Sequence, residues 1–231
     1  MMYGKAFSLL KIHVKEEWKL YTNHRFVKQL LNNKLEQKVF LDYLIQDYLF
    51  LYQFSKAWSL AIVKADNLKE MKLCADTVNQ LINFEMSLHE EICTAYGITK
   101  KKLCKAEEKN KNIAYTRFVL EKGYSGDFLD LLTALMPCVL GYAEIGRKNK
   151  KINPIKRMYR EWLTTYSGKE YQKVSKNVGK LYDEATISRL GINFTNTPKW
   201  KKMISTFKTA TLLEIDFWEM SYEKNNSNFK K

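Results

Sequence analysis

The sequence predicts an all-α protein, a single-domain bundle of several helices. Three observations carry this expectation. The chain has 231 residues, 45% of them hydrophobic, which is enough to bury one generous core and too apolar for a disordered chain. It holds only nine Gly and three Pro, whereas a β-sandwich or barrel needs turn residues every few positions along the chain. Its apolar residues recur at spacings of three and four, the repeat of one helix face.

The elements follow in order. Phe7, Leu10, Val14, Trp18 and Tyr21 form a first stripe that ends near Asn23. A short helix is expected around Phe26, Val27, Leu30 and Leu31. A long one is expected over roughly 36–65, with Phe40, Leu44, Leu51, Phe54, Trp58 and Ile62 on one side. Residues 68–95 place Cys74, Val78, Leu81, Leu88 and Ile92 together, and Gly97 suits a C-terminal stop. After a lysine-rich loop, Ile113 to Lys122 reads as a short helix stopped by Gly123, with Ser125 as cap of the next. That next stripe is Phe128, Leu131, Leu135, Cys138, Tyr142 and Ile145. Pro154 is expected to open another helix, carrying Ile155, Tyr159, Trp162 and Tyr166 on one face. Residues 169–189 are amphipathic through Tyr171, Val174, Val178 and Leu181. Thr197-Pro198 opens the last helix, with Trp200, Ile204, Phe207, Thr211 and Trp218 inward. The total is eight or nine helices in one domain, residues 1–223, followed by a polar tail, 224–231.

Charge and cysteine usage bound the function. The net charge is +14, but only six of the 39 basic residues are Arg, the side chain suited to guanine readout and bidentate phosphate clamps. No basic recognition helix stands out, so nucleic acid is not the expected partner. The densest basic run, Thr99-Lys100-Lys101-Lys102 with Lys105, Lys109 and Lys111, reads as a solvated loop. No run approaches 18 apolar residues and the start lacks a signal-peptide pattern, so no membrane association is expected. The four Cys, at 74, 93, 104 and 138, have neither zinc-site nor C-x-x-C spacing, and a reducing cytoplasmic setting is expected.

Some residues do not belong on an apolar stripe. A buried carboxylate is costly unless it is paired or does chemistry. Asp47 lies between Leu44 and Leu51, Glu85 between Leu81 and Leu88, and Glu214 between Thr211 and Trp218, each in core register. With many inward tyrosines, these acids predict a polar pocket inside the bundle. Cys138 lies mid-stripe directly after Pro137, where an interior proline leaves a carbonyl unpaired and bends a helix beside the thiol. The bland reading of this Cys is a small core hydrophobe; the functional one is a nucleophile favoured by a donor or base. A metal centre is not expected: Glu85 and His89 are four apart and no second such pair exists, as a di-iron bundle would need. A haem on His13 or His24 is the other oxygenase-type alternative.

These residues resemble, in order and spacing, the TenA or thiaminase II family. The matching stretches are His24-Arg25-Phe26-Val27, Tyr43-Leu44-Ile45-Gln46-Asp47-Tyr48, Glu85-Met86-Ser87-Leu88-His89 and Leu135-Met136-Pro137-Cys138. Tyr142, Glu144, Gly146, Trp162 to Tyr166 and Glu214-Ile215-Asp216-Phe217-Trp218 complete the set. The resemblance implies a haem-oxygenase-like helical fold without bound haem, assembled as a homotetramer. It implies an aminopyrimidine aminohydrolase of thiamin salvage, which turns 4-amino-5-aminomethyl-2-methylpyrimidine into the hydroxymethyl pyrimidine and ammonia and also cleaves thiamin. No cofactor and no metal are implied, and the partner is the small pyrimidine substrate. Cys138 matches the nucleophile, Glu214 the proton donor to the pyrimidine, and Asp47 the carboxylate that binds the aminopyrimidine. Tyr115, Tyr142 and Tyr166 match tyrosines that line the pocket. Phe50 departs from the pattern: the family often has tyrosine there, so ring stacking survives and the hydroxyl is lost. A non-catalytic regulator remains the alternative that the family's older naming suggests.

Overall fold

The most apolar stretch of the chain becomes the central helix, and the other helices wrap it. A computed structural model describes residues 2–223; the expected tail, 224–231, lies outside the described residues. Helix α9 (Phe128–Asn149) is buried continuously from Leu131 to Gly146, and at Phe128 and Leu129 before it. It packs against α8 (Asn110–Ser125), α10 (Arg157–Ser167), α11 (Lys169–Leu190) and α12 (Pro198–Met220). It also touches α2 (Lys15–Thr22) and α4 (Gln37–Lys64). By length and composition α9 is long and apolar enough to cross a membrane, but 94% of that window is buried inside the protein, as in a core helix.

The remaining helices are α1 (Lys5–His13), α3 (Arg25–Leu31), α5 (Leu68–Gln80), α6 (Met86–Ala95) and α7 (Lys100–Cys104). A π-helical turn, Leu81–Glu85, joins α5 to α6, and a 3₁₀ turn, Phe194–Asn196, precedes α12. Among the described residues there are twelve α-helices and no strand, against an expectation of eight or nine helices. The all-helical class is as expected; the extra elements are local breaks. The first stripe is split at Val14, whose φ of −122° and ψ of 34° leave helical geometry although its side chain is buried. The lysine run carries the short helix α7, capped by Thr99, and Lys100, Lys109 and Lys111 pair with Glu90, Asp42 and Glu223. The exposed pairs among these are screened by solvent, and the run remains largely a solvated face.

Three boundary expectations are corrected. Gly123 does not stop α8; a Cβ there would come within 2.5 Å of Leu60, so the glycine is a close-packing point between α8 and α4. Ser125 does not cap α9, because its hydroxyl donates back to the Glu121 carbonyl inside α8. The cap is Asp127, in a reciprocal box with Asp130 whose two hydrogen bonds are both 3.0 Å. Pro154 does not open α10, which starts at Arg157. The segment before it is tied down by Asn33, whose Oδ1 accepts from the Ile155 and Lys156 amides at 2.7 and 3.1 Å, and Ile155 faces solvent.

The expected stops and starts elsewhere are as the residues suggest. Gly97, at φ 80°, follows the end of α6, and the Ile98 amide closes on the Cys93 carbonyl at 2.9 Å. Thr197 caps α12 and Pro198 occupies its first position. The interior Pro137 does not break α9, which runs through it without interruption.

Candidate active site

Long helices with drifting stripes place three acids beside one thiol. Asp47 sits on α4, Glu85 at the end of the π turn, Glu214 on α12 and Cys138 on α9. Asp47, Glu214 and Cys138 are buried. Glu85 is half-buried because a groove reaches it, while protein surrounds it on its other sides.

Each carboxyl group is held by aromatic or imidazole donors. Asp47 Oδ2 accepts from the Tyr43 hydroxyl at 2.8 Å and lies 2.6 Å from His89 Nε2. His89 Nδ1 is 2.7 Å from the Glu85 carbonyl, which can only accept, so this nitrogen carries a proton. Burial pulls His89 down, but the hydrogen bond and charge of Asp47, with Glu85, outweigh it and hold the imidazole above its ordinary value. His89 thus joins Asp47 on one side to the Glu85 carbonyl on the other. Behind them Trp162 Nε1 donates to the Tyr43 hydroxyl at 3.2 Å, and Tyr43 and Tyr142 hydroxyls meet at 3.3 Å.

Glu214 Oε1 accepts from Tyr115 at 2.8 Å. Burial pushes its carboxyl up to about 8, and the nearby Asp47 charge adds to this against the opposing pull of Tyr115. Glu85 Oε1 accepts from Tyr166 at 2.8 Å, and burial pushes it up to about 7. Both acids are thus protonated for much of the time near neutral pH, which desolvation of a carboxyl accounts for. The Cys138 thiol is raised well above its ordinary value by burial, then by the charges of Glu214, Glu85 and Asp47. The sequence reading sought a group that would favour the thiolate. The structure surrounds the sulfur with carboxyl groups instead, so the resting residue is a neutral thiol.

Cys138 opens on a groove of about 640 Å³. Its walls are mainly apolar, with Leu81, Phe84, Leu88, Val139 and Val174, and Glu85 stands on the same wall system. Glu214, Asp47, Phe50, Tyr115, Tyr142 and Tyr166 are buried and do not face this groove. Cys138 and Glu214 therefore have different surroundings: the sulfur faces the groove, whereas Glu214 lies in the interior. Phe50 is packed against Phe54, Tyr115 and Phe217 at ring distances of 5.0, 4.9 and 5.2 Å, so the missing hydroxyl is replaced by aromatic packing next to the partner of Glu214. Among the described residues no group of three His, Cys, Asp or Glu is placed to hold a metal ion.

Sequence reasoning left Tyr43 and His89 inside family-like stretches without a role, and Tyr21 as a residue of the first apolar stripe. Tyr21 donates to the Pro137 carbonyl at 3.3 Å, and this contact needs Gly141, where a Cβ would sit 2.2 Å from the Tyr21 ring. Trp218 forms the aromatic centre behind the acids, at 4.6 Å from Phe26 and 5.3 Å from both Tyr43 and Tyr142. His89 stands four residues after Glu85, one helical turn along the same face, and the sequence reading weighed that pair only as a metal motif.

Residues 12–224 match the model of the TENA/THI-4/PQQC family. A relative from Helicobacter pylori, named aminopyrimidine aminohydrolase, is 30% identical over 89% of this chain and 93% of its own length. The crystal structure of a TenA family transcription regulator from Silicibacter sp. TM1040 superposes with a TM-score of 0.93 at 48% identity, covering 96% of this chain and 99% of that one. A domain from Shewanella denitrificans described as having a heme oxygenase-like fold superposes at 0.70 with 11% identity, over 94% of this chain and 91% of that one, which shows the shared fold. The chain has the haem-oxygenase-like helical fold and belongs to the TENA/THI-4/PQQC family, among the TenA proteins.

Proposed function

We propose that this protein is an aminopyrimidine aminohydrolase of thiamin salvage, with Cys138 as nucleophile and Glu214 as the acid for the pyrimidine ring. The observation that carries this reading is a carboxyl group held protonated to about pH 8 beside a buried thiol. Relatives of that name, at 28–30% identity, support the reaction class. An aminopyrimidine is electron-rich and resists attack until a ring nitrogen is protonated. Glu214 gives its proton to that nitrogen, and the Cys138 sulfur bonds to the ring carbon made electrophilic. The thiol proton passes to the Glu214 carboxylate, so the acid is restored as the adduct forms. The ring electrons then expel the amine from the exocyclic methylene, water takes its place, and the sulfur leaves as the ring regains aromaticity.

Asp47 is the group that orients the substrate. Its Oδ2 is already occupied by Tyr43 and His89, while Oδ1 accepts no hydrogen bond among the described residues. That oxygen suits the amino group of an aminopyrimidine. Tyr115 and Tyr166 hold Glu214 and Glu85, Tyr142 meets Tyr43 behind Asp47, and Phe50 packs against Tyr115. A homotetramer without cofactor, working in the cytoplasm, completes the reading; light scattering of the purified protein tests the assembly.

The decisive test is ammonia release from 4-amino-5-aminomethyl-2-methylpyrimidine by the purified protein. Cys138→Ser is expected to lower turnover by about two orders of magnitude or more, as for a lost nucleophile. Full activity in that variant overturns the assignment, and an inactive parent protein overturns the reading.

A further inference from the structure

We propose that Glu85 is a second acid–base residue of this site, the one that serves the departing amine and the incoming water on the groove side of Cys138. The inference rests on the aminohydrolase reading and assigns a role that Glu214 has no geometry to fill. Glu85 and Cys138 line the same groove, whereas Glu214 does not reach it. The leaving group points away from the ring, so it needs a proton-transfer group outside the ring pocket.

Several features fit Glu85 to that task. The π turn Leu81–Glu85 ends on this residue, inserting an extra position into the helix just where it meets the groove. Tyr166 donates to Oε1 and fixes the carboxyl, while Oε2 takes no hydrogen bond among the described residues. The Glu85 carbonyl also holds His89 in place against Asp47, so the turn that aims the carboxyl is anchored to the substrate-binding side of the site. The other carboxyl on the groove, Glu170, is exposed. A carboxyl pushed to about 7 can both give and accept a proton at working pH.

The step balances. Glu85 gives its proton to the amino nitrogen of the substrate. The carbon–nitrogen bond breaks, the electron pair goes to nitrogen, and ammonia leaves. The Glu85 carboxylate then takes one proton from water as the water oxygen bonds to the methylene carbon. The acid is regenerated, and the net change is amine plus water to alcohol plus ammonia. Thiamin differs at one point only: its leaving group is a thiazolium, which departs as a neutral thiazole and needs no proton.

That difference supplies the test. Glu85→Gln keeps the shape and can still accept from Tyr166, but it cannot transfer a proton. Single-turnover release of ammonia from the aminomethyl pyrimidine and of thiazole from thiamin is measured for the parent protein and for this variant. Ammonia release is expected to fall by about 100-fold or more, with thiazole release within about tenfold of the parent. Thiazole release also reports that the variant is folded with its nucleophile in place. Equal losses on both substrates, or no loss on either, overturn the role of Glu85 while leaving the aminohydrolase reading intact. A parent protein that releases neither product overturns both.

Discussion

Replacing Glu214 by Gln is expected to make the protein more stable at alkaline pH. The carboxyl is fully enclosed, and burial raises it from an ordinary 4.5 to about 8. In the unfolded chain the same group ionises near 4.5. Between these values the unfolded state binds fewer protons than the folded one, so stability falls as pH rises through this window and levels off above about 8. Each tenfold difference in proton affinity corresponds to about 1.4 kcal/mol, which sets a ceiling of about 5 kcal/mol for the rise to about 8. Local rearrangement around Tyr115 brings the expected effect to about 2–5 kcal/mol. The Gln side chain keeps the hydrogen bond from Tyr115 and carries no titrating proton, so this loss is absent from the variant. Glu85 titrates in the same window in both proteins, and comparing the two removes its contribution. Urea melts at pH 5, 7 and 9 measure the difference: the variant gains on the parent between pH 5 and 9. Parallel stability curves across that range refute the claim that Glu214 is held protonated.

Other expectations follow from the same geometry. The kcat/KM for the aminomethyl pyrimidine is expected to fall above about pH 7, as Glu85 and then Glu214 lose their protons; a flat profile to pH 10 contradicts their roles as acids. Iodoacetamide is expected to label Cys138 slowly, at a rate still rising at pH 9.5, because burial and three carboxyl groups keep the thiol neutral. The measurement is made in a Cys104→Ser background to remove the exposed thiol, and a rate that levels off by pH 8 refutes it. Phe50→Tyr is expected to leave turnover unchanged or raise it, and a large loss shows that the position does not correspond to the family tyrosine. Gly141→Ala is expected to cost about 1–3 kcal/mol by denaturant melts, since its Cβ would collide with the Tyr21 ring at 2.2 Å. An unchanged midpoint contradicts the close approach.

The long elements were legible because their signal is summed over many turns. The stripes of α4, α9 and α12 fix which faces are buried, and they expose Asp47 and Glu214 as acids in the wrong company. What the stripes hide is local. Val14 keeps its place on an apolar face while its backbone leaves the helix, so the pattern continues across a break. The π turn before α6 alters register by one residue, which the repeat of three and four cannot resolve. Pro154 carries the right residue type for a helix start, but the Asn33 side chain from elsewhere in the fold decides otherwise. Within the site, Tyr43 and His89 fall in the family-like stretches, but spacing alone gave neither a role, because a buried tyrosine or histidine has the same spacing whether it packs or holds a carboxylate. Their partners come from other helices, and only the folded arrangement supplies them.

The central position of α9 has a consequence for biosynthesis. Three of the helices packed around it, α10, α11 and α12, come later in the chain. During translation the greasiest segment emerges from the ribosome before the helices that shield it exist. Until about seventy further residues have been made, Phe128 to Gly146 lacks most of its cover. Such an interval invites aggregation or capture by a chaperone. Ribosome-stalled chains ending before Pro198 are thus expected to be less soluble than the complete chain.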